Sequence, residues 1–166
     1  MTAKQPMIDE CQRQVETCLY TSTMCFEWVK SLKRWRAFFV VAPIVLGVLG
    51  AWPVLSKSHQ FGVVAAACTL AAGAFPAIFK ALGLDESVQA VVKQGNQYKI
   101  LQGRFRQAAT ITSLGDETAF RAEIDELTQR LDDLRLSTLV APERFFRKAQ
   151  KKIDAGHYTF AVDTNT

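Results

Sequence analysis

The strongest constraint on this chain is where its charges are absent. No Asp, Glu, Lys or Arg occurs from Ala37 to Ser56 or from Ser58 to Phe79, and only Lys57 stands between the two runs. As helices, Ala37 to Leu55 and Phe61 to Phe79 would each rise about 28 Å at roughly 1.5 Å per residue, close to the hydrocarbon thickness of a bilayer. Two buried core helices are the soluble alternative. Such helices are usually shorter and one-sided, and a 166-residue chain has too little mass to wrap two that are apolar all round. The expected fold is therefore all-α, a two-helix transmembrane hairpin carrying a cytoplasmic helical bundle.

The flanks orient the hairpin. The connector Ser56-Lys57-Ser58-His59-Gln60 holds one basic residue, whereas Lys30, Lys33, Arg34 and Arg36 precede the first run and Lys80, Lys93, Lys99, Arg104 and Arg106 follow the second. The positive-inside rule then places both termini in the cytoplasm. About 36 mostly polar residues come before the first run, which argues against a cleaved signal peptide. Cys11, Cys18, Cys25 and Cys68 fall on the reducing side or within the second span, so disulfides are not expected.

Three parts follow: a cytoplasmic amphipathic helix over 1–36, the hairpin over 37–80 and a cytoplasmic helical region over 81–166. Pro6 suits the first turn of a helix. Ile8, Cys11, Val15, Cys18, Ser22, Cys25, Val29 and Leu32 are then spaced by alternating threes and fours, the seam of a coiled coil or bundle. One helix offers this stripe no partner, so Val15, Cys18, Ser22, Cys25 and Val29 are expected to join copies in a homo-oligomer. Trp28 and Trp35 stand near one membrane boundary and Trp52 near the other, where amphipathic rings favour the headgroup layer.

Beyond Gly83, Asp85 or Ser87 can cap a helix with Val88, Val91 or Val92, Gly95, Tyr98, Leu101 or Gln102, Phe105, Ala109 and Thr112 on one face. Leu114-Gly115 ends it. Asp116 starts another with Phe120, Ile124, Leu127, Leu131, Leu134 and Thr138 in line, supported by Glu117/Arg121 and Glu126/Arg130. Pro142 opens a last helix bearing Phe145 or Phe146, Ala149 and Ile153, and Gly156 closes it.

Within the first span Pro43, Gly47 and Gly50 share a face. The second carries the small-x-x-x-small pairs Gly62/Ala66, Ala67/Ala71 and Gly73/Ala77, which let backbones approach closely in lipid. Gly62, Ala66, Thr69, Gly73 and Ala77 are the candidate helix-packing or pore-lining positions. Only Cys68 and Thr69 in the spans depart from apolar chemistry, and the connector has no carboxylate to form a cation-selective ring. A central lining would be narrow, apolar and suited to gating by dewetting.

No catalytic, metal-binding or cofactor-binding residue is assigned. His59 and His157 fall on opposite sides of the expected membrane, and Cys11, Cys18 and Cys25 recur every seven residues, about 10 Å apart along a helix. They read as structural thiols. A phosphate-cradling glycine loop, a nucleophile elbow and an HExxH pattern are all missing, so enzyme activity is not expected. The basic cluster Arg144, Arg147, Lys148, Lys151 and Lys152 could meet anionic lipid or nucleic acid, but a solvated helix face is the commoner meaning, and no nucleic-acid partner is expected.

The order of these parts resembles the SLATT family. The resemblance rests on the amphipathic first helix, the basic-aromatic Lys33-Arg34-Trp35-Arg36, two spans with a minimal connector, and the closing segment Ala149-Gln150-Lys151-Lys152-Ile153-Asp154-Ala155-Gly156-His157-Tyr158. It covers nearly the whole chain. The family implies a bacterial inner-membrane effector of anti-phage systems that oligomerises and breaches the membrane when a separate sensor or nucleotide-signalling partner detects infection. It carries over no catalytic residues. The competing expectation is a non-conducting scaffold or assembly factor that recruits a cytoplasmic partner through its helices.

Overall fold

A computed structural model describes residues 4–55 and 62–158. The expectations for the connector and the tail after Tyr158 lie outside these residues. All the elements are helical: α1 (Gln5–Leu55), α2 (Gly62–Ala81), α3 (Leu84–Thr110), a 3-10 turn (Thr112–Leu114), α4 (Glu117–Leu136) and α5 (Glu143–Asp154). Two of these helices are long and apolar enough to cross a membrane. The boundary expected at Arg36 does not interrupt the backbone, and α1 continues from its polar first half into the apolar run. Charge changes which solvent a helix prefers without breaking its i to i−4 ladder.

The chain divides into two compact units, one made of Met1–Val29 and Ala90–Thr166 and the other of Lys30–Gln89. The segments 1–36 and 81–166, treated as separate parts above, thus supply most of a single unit between them, while 30–36 and 81–89 fall in the second unit. Its core contains Cys11 and Cys18 from α1, Tyr98, Leu101, Phe105, Ala108 and Ala109 from α3, and Phe120, Leu127, Leu131 and Leu134 from α4. Met7, Ile8, Val15 and Ile124 close its margin. Burying a side chain of the size of Phe105, Phe120 or Leu131 contributes roughly 1.5–3 kcal/mol.

Local chemistry sets the ends of these helices. The Asp116 carboxylate accepts from the backbone N–H groups of Thr118 and Ala119 and from the Thr118 hydroxyl, so it caps α4 as expected. These bonds, the Thr118 hydroxyl first, hold the Asp116 carboxyl below the usual Asp range. Pro142 precedes α5, and Gly156 follows it at φ 75°, the left-handed conformation suited to a helix end. The link between α4 and α5 is tied to α3: the Tyr98 and Thr138 hydroxyls lie 2.8 Å apart, and Leu139 N–H donates to Gln94 Oε1 at 3.2 Å.

In the second unit α1 and α2 pack along one stripe each. Phe39, Ala42, Leu46 and Gly50 on α1 are covered or partly covered, as are Ala65, Cys68, Ala72, Phe75 and Phe79 on α2, again at steps of three and four. Gly50 marks the closest approach, since a Cβ there would lie 3.1 Å from Thr69 Oγ1 and 3.3 Å from the Ala65 carbonyl oxygen. Gly83, at φ 54°, ends α2 by donating to the Lys80 carbonyl at 3.2 Å and starts α3 by accepting from Ser87 N–H at 3.0 Å. The expected caps of α3, Asp85 and Ser87, therefore lie inside its first turn. Asp85 instead pairs with Arg36 at 2.7 Å.

Candidate membrane hairpin and its uncovered side

Aromatic rings set the base of the hairpin. Phe39 lies 5.7 Å from Phe75 and 6.4 Å from Phe79 between ring centroids, and Phe38 lies 6.2 Å from Phe75. Towards the connector the contact narrows to Gly50 against Ala65, Cys68 and Thr69. Large residues thus meet at one end and small ones at the other, so the two backbones draw together towards the connector. An open apolar groove of about 630 Å³ runs along α1 past Phe38, Val41, Val45 and Phe75.

Four of the five candidate positions on α2 lie off the hairpin contact. Gly62, Ala66, Gly73 and Ala77 are all exposed, and a Cβ on Gly62 or Gly73 would meet nothing within 4 Å. Thr69 touches α1 at Gly50, and its hydroxyl donates to the Ala65 carbonyl of its own helix at 2.9 Å. At 100° per residue the stripe lies roughly 120° around α2 from the face that packs on α1. The uncovered side of α1 is bulky by comparison, with Val41, Ile44, Val48 and Leu49 all more than half exposed. The hairpin therefore has a small-residue side and a bulky side, neither covered by the described residues.

The candidate oligomer seam has a different fate. Cys18, Ser22, Cys25 and Val29 are buried inside the first unit, and Val15 packs at the edge of its core. The stripe needed a partner helix, and the same chain supplies one in α3. Gly95 of α3 approaches so closely that a Cβ there would lie 3.1 Å from Cys25 Cβ and 3.4 Å from the Phe26 ring. A seam sealed in this way offers no surface to a second copy. The juxtaposition of Gly95 and Cys25 was missed in the sequence, although a glycine amid the apolar face of α3 was its signal.

The thiols are chemically quiet. Burial pushes Cys11, Cys18 and Cys25 each up to about 11, with Glu10 and then Glu123 adding to the effect at Cys11. Thiols held protonated are poor nucleophiles and poor metal ligands. Among the described residues, no group of three or more His, Cys, Asp or Glu side chains could hold a metal ion.

Helix α5 closes the first unit. Phe145, which is buried, stacks at 6.4 Å on Trp28, Phe146 lies 6.3 Å from Tyr20, and Lys152 pairs with Glu27 at 2.5 Å. Comparison with known family models, with curated proteins and with solved structures found no match.

Proposed function

We propose that this chain is a two-span membrane effector that assembles through the small-residue side of α2 into an oligomer able to open a path through the bilayer. The observation that carries the reading is the asymmetry of the hairpin: Gly62, Ala66, Gly73 and Ala77 stay uncovered beside an α1 surface of Val, Ile and Leu. In lipid, close packing of backbones drives helix association, so the small side favours helix neighbours and the bulky side favours acyl chains. A lining of such residues excludes water at rest, because Thr69 satisfies its own hydroxyl and the other groups are apolar.

The basic flanks support a cytoplasmic position for both termini. The likeness to SLATT domains supports an inner-membrane role in anti-phage defence, triggered by a separate sensor. A scaffold that recruits partners through the α1 seam is disfavoured, since that seam is closed by α3.

Reconstitution into liposomes tests the proposal. Copies bearing Ala66→Cys or Gly73→Cys are expected to cross-link to one another. Gly73→Asp, which hydrates the lining, is expected to release entrapped potassium or a small dye, whereas a polar change at Val45 leaves release at background. Inserted protein that neither cross-links at these positions nor passes ions or dye would overturn the pore.

A further inference from the structure

The basic cluster of α5 has no part in the hairpin. Arg144, Arg147, Lys148 and Lys151 follow the i, i+3, i+4, i+7 spacing, so they share one arc of the helix, and all four are exposed. Phe145 and Ala149, on the opposite side, are fully covered by the first unit. Lys152 lies at the edge of that buried side, where it meets Glu27. Two carboxylates flank the basic arc, Asp154 three residues after Lys151 and Glu143 at the helix start, so the four cations still leave it positive. Glu143 reaches Arg147 from the helix start at 2.8 Å, an exposed pair of little energetic weight. The Arg144 guanidinium and the Lys148 ammonium lie 4.7 Å and 5.9 Å from the centre of the Phe145 ring, cation–π contacts that hold both cations at the exposed margin of that buried ring.

We propose that this face of α5 docks on an anionic lipid surface, resting on the membrane reading above. Four cations on one rigid arc, with the apolar side already occupied, suit a dense, flat array of negative headgroups; binding is then electrostatic rather than by insertion. Connectivity favours lipid over other polyanions. Helix α5 is fastened to α1 at Tyr20, Glu27 and Trp28, and the apolar run begins at Ala37, only nine positions beyond Trp28. Even fully extended, nine residues reach no further than about 32 Å. The bilayer is therefore present at high effective concentration, whereas a nucleic acid must arrive from solution.

The test uses the full chain with Gln150→Cys in a Cys68→Ala background, spin-labelled at the exposed Gln150 position and reconstituted into vesicles. In phosphatidylglycerol-containing vesicles the label is expected to become about threefold less accessible to a water-soluble nickel chelate than in phosphatidylcholine alone, and salt near 0.5 M should reverse the change. Replacing Arg144, Arg147, Lys148 and Lys151 together by Gln should abolish the response, whereas Lys148→Arg with Lys151→Arg should keep it. Equal accessibility in both lipids, with the protein still floating with the vesicles after carbonate extraction, would overturn the docking alone. Loss of flotation would remove the membrane reading and this proposal with it. A response to duplex DNA in place of lipid would reassign the face to nucleic acid.

Discussion

Gly95 and Gly103 occupy the same helix in opposite surroundings. At Gly103 a Cβ would meet nothing within 4 Å, so Gly103→Ala should stabilise the protein by about 0.5–1 kcal/mol through helix propensity alone. At Gly95 the new methyl would press on Cys25 Cβ and the Phe26 ring. Overpacking of about 1–3 kcal/mol then outweighs the helical gain, and Gly95→Ala should destabilise. Thermal unfolding in detergent checks both signs. The thiols give a second prediction at this scale. Unfolded, each titrates near its ordinary value of 9.0; folded, Cys11, Cys18 and Cys25 titrate near 11. The unfolded chain therefore binds fewer protons than the folded one above pH 9. The stability these thiols contribute is fully present below pH 9 and is lost as pH rises towards 11. Cys18→Ala should flatten the fall in unfolding temperature across that window, and a slope matching that of the native chain would refute the assignment.

At the scale of elements, the attachment of α5 depends on few contacts. Phe145→Ala removes a buried ring that stacks on Trp28 and should cost about 3–5 kcal/mol. Its signature would be a red shift of Trp28 fluorescence together with early tryptic cleavage within 143–154. Retention of both native properties would show that α5 is held by something else. Much of this layer was legible in the sequence. Asp116, Pro142 and Gly156 mark helix ends through chemistry confined to neighbouring residues, and the face from Val88 to Ala109 follows from spacing alone. What covers a face was not legible. The stripe through Cys18 and Cys25 was identified correctly as buried, yet periodicity says nothing about whether the covering helix belongs to the same chain. On α2 the small pairs were visible, but the contact with Gly50 uses Ala65, Cys68 and Thr69 instead, because the rotation of a helix is set by its partner's shape. The start of α3 shifted because Gly83, at φ 54°, turns the chain directly into it, and Asp85 within the first turn pairs with Arg36.

For the whole molecule, the basic flanks predict that reporter domains fused at Met1 and Thr166 will both be active in the cytoplasm. Periplasmic activity at either end would refute the hairpin orientation. The division of the chain carries a further consequence, one of timing. Residues 1–29 are made first, yet the segment that covers their stripe begins only at residue 90. At synthesis rates of about 5–20 residues per second, the stripe waits several seconds for its partner. During that wait, an apolar seam lies open to chaperones and to other nascent chains. The intervening segment shortens the later search, because Arg36 and Asp85 meet at 2.7 Å once the hairpin has formed. Joining its ends early replaces a loop of some sixty residues by one of a few, which lowers the closure cost by roughly 2 kcal/mol. The apolar insertion is then expected to act as a staple for the unit it interrupts, with the hairpin forming first and the bundle second, an order that arrest of synthesis before residue 90 followed by proteolysis would check.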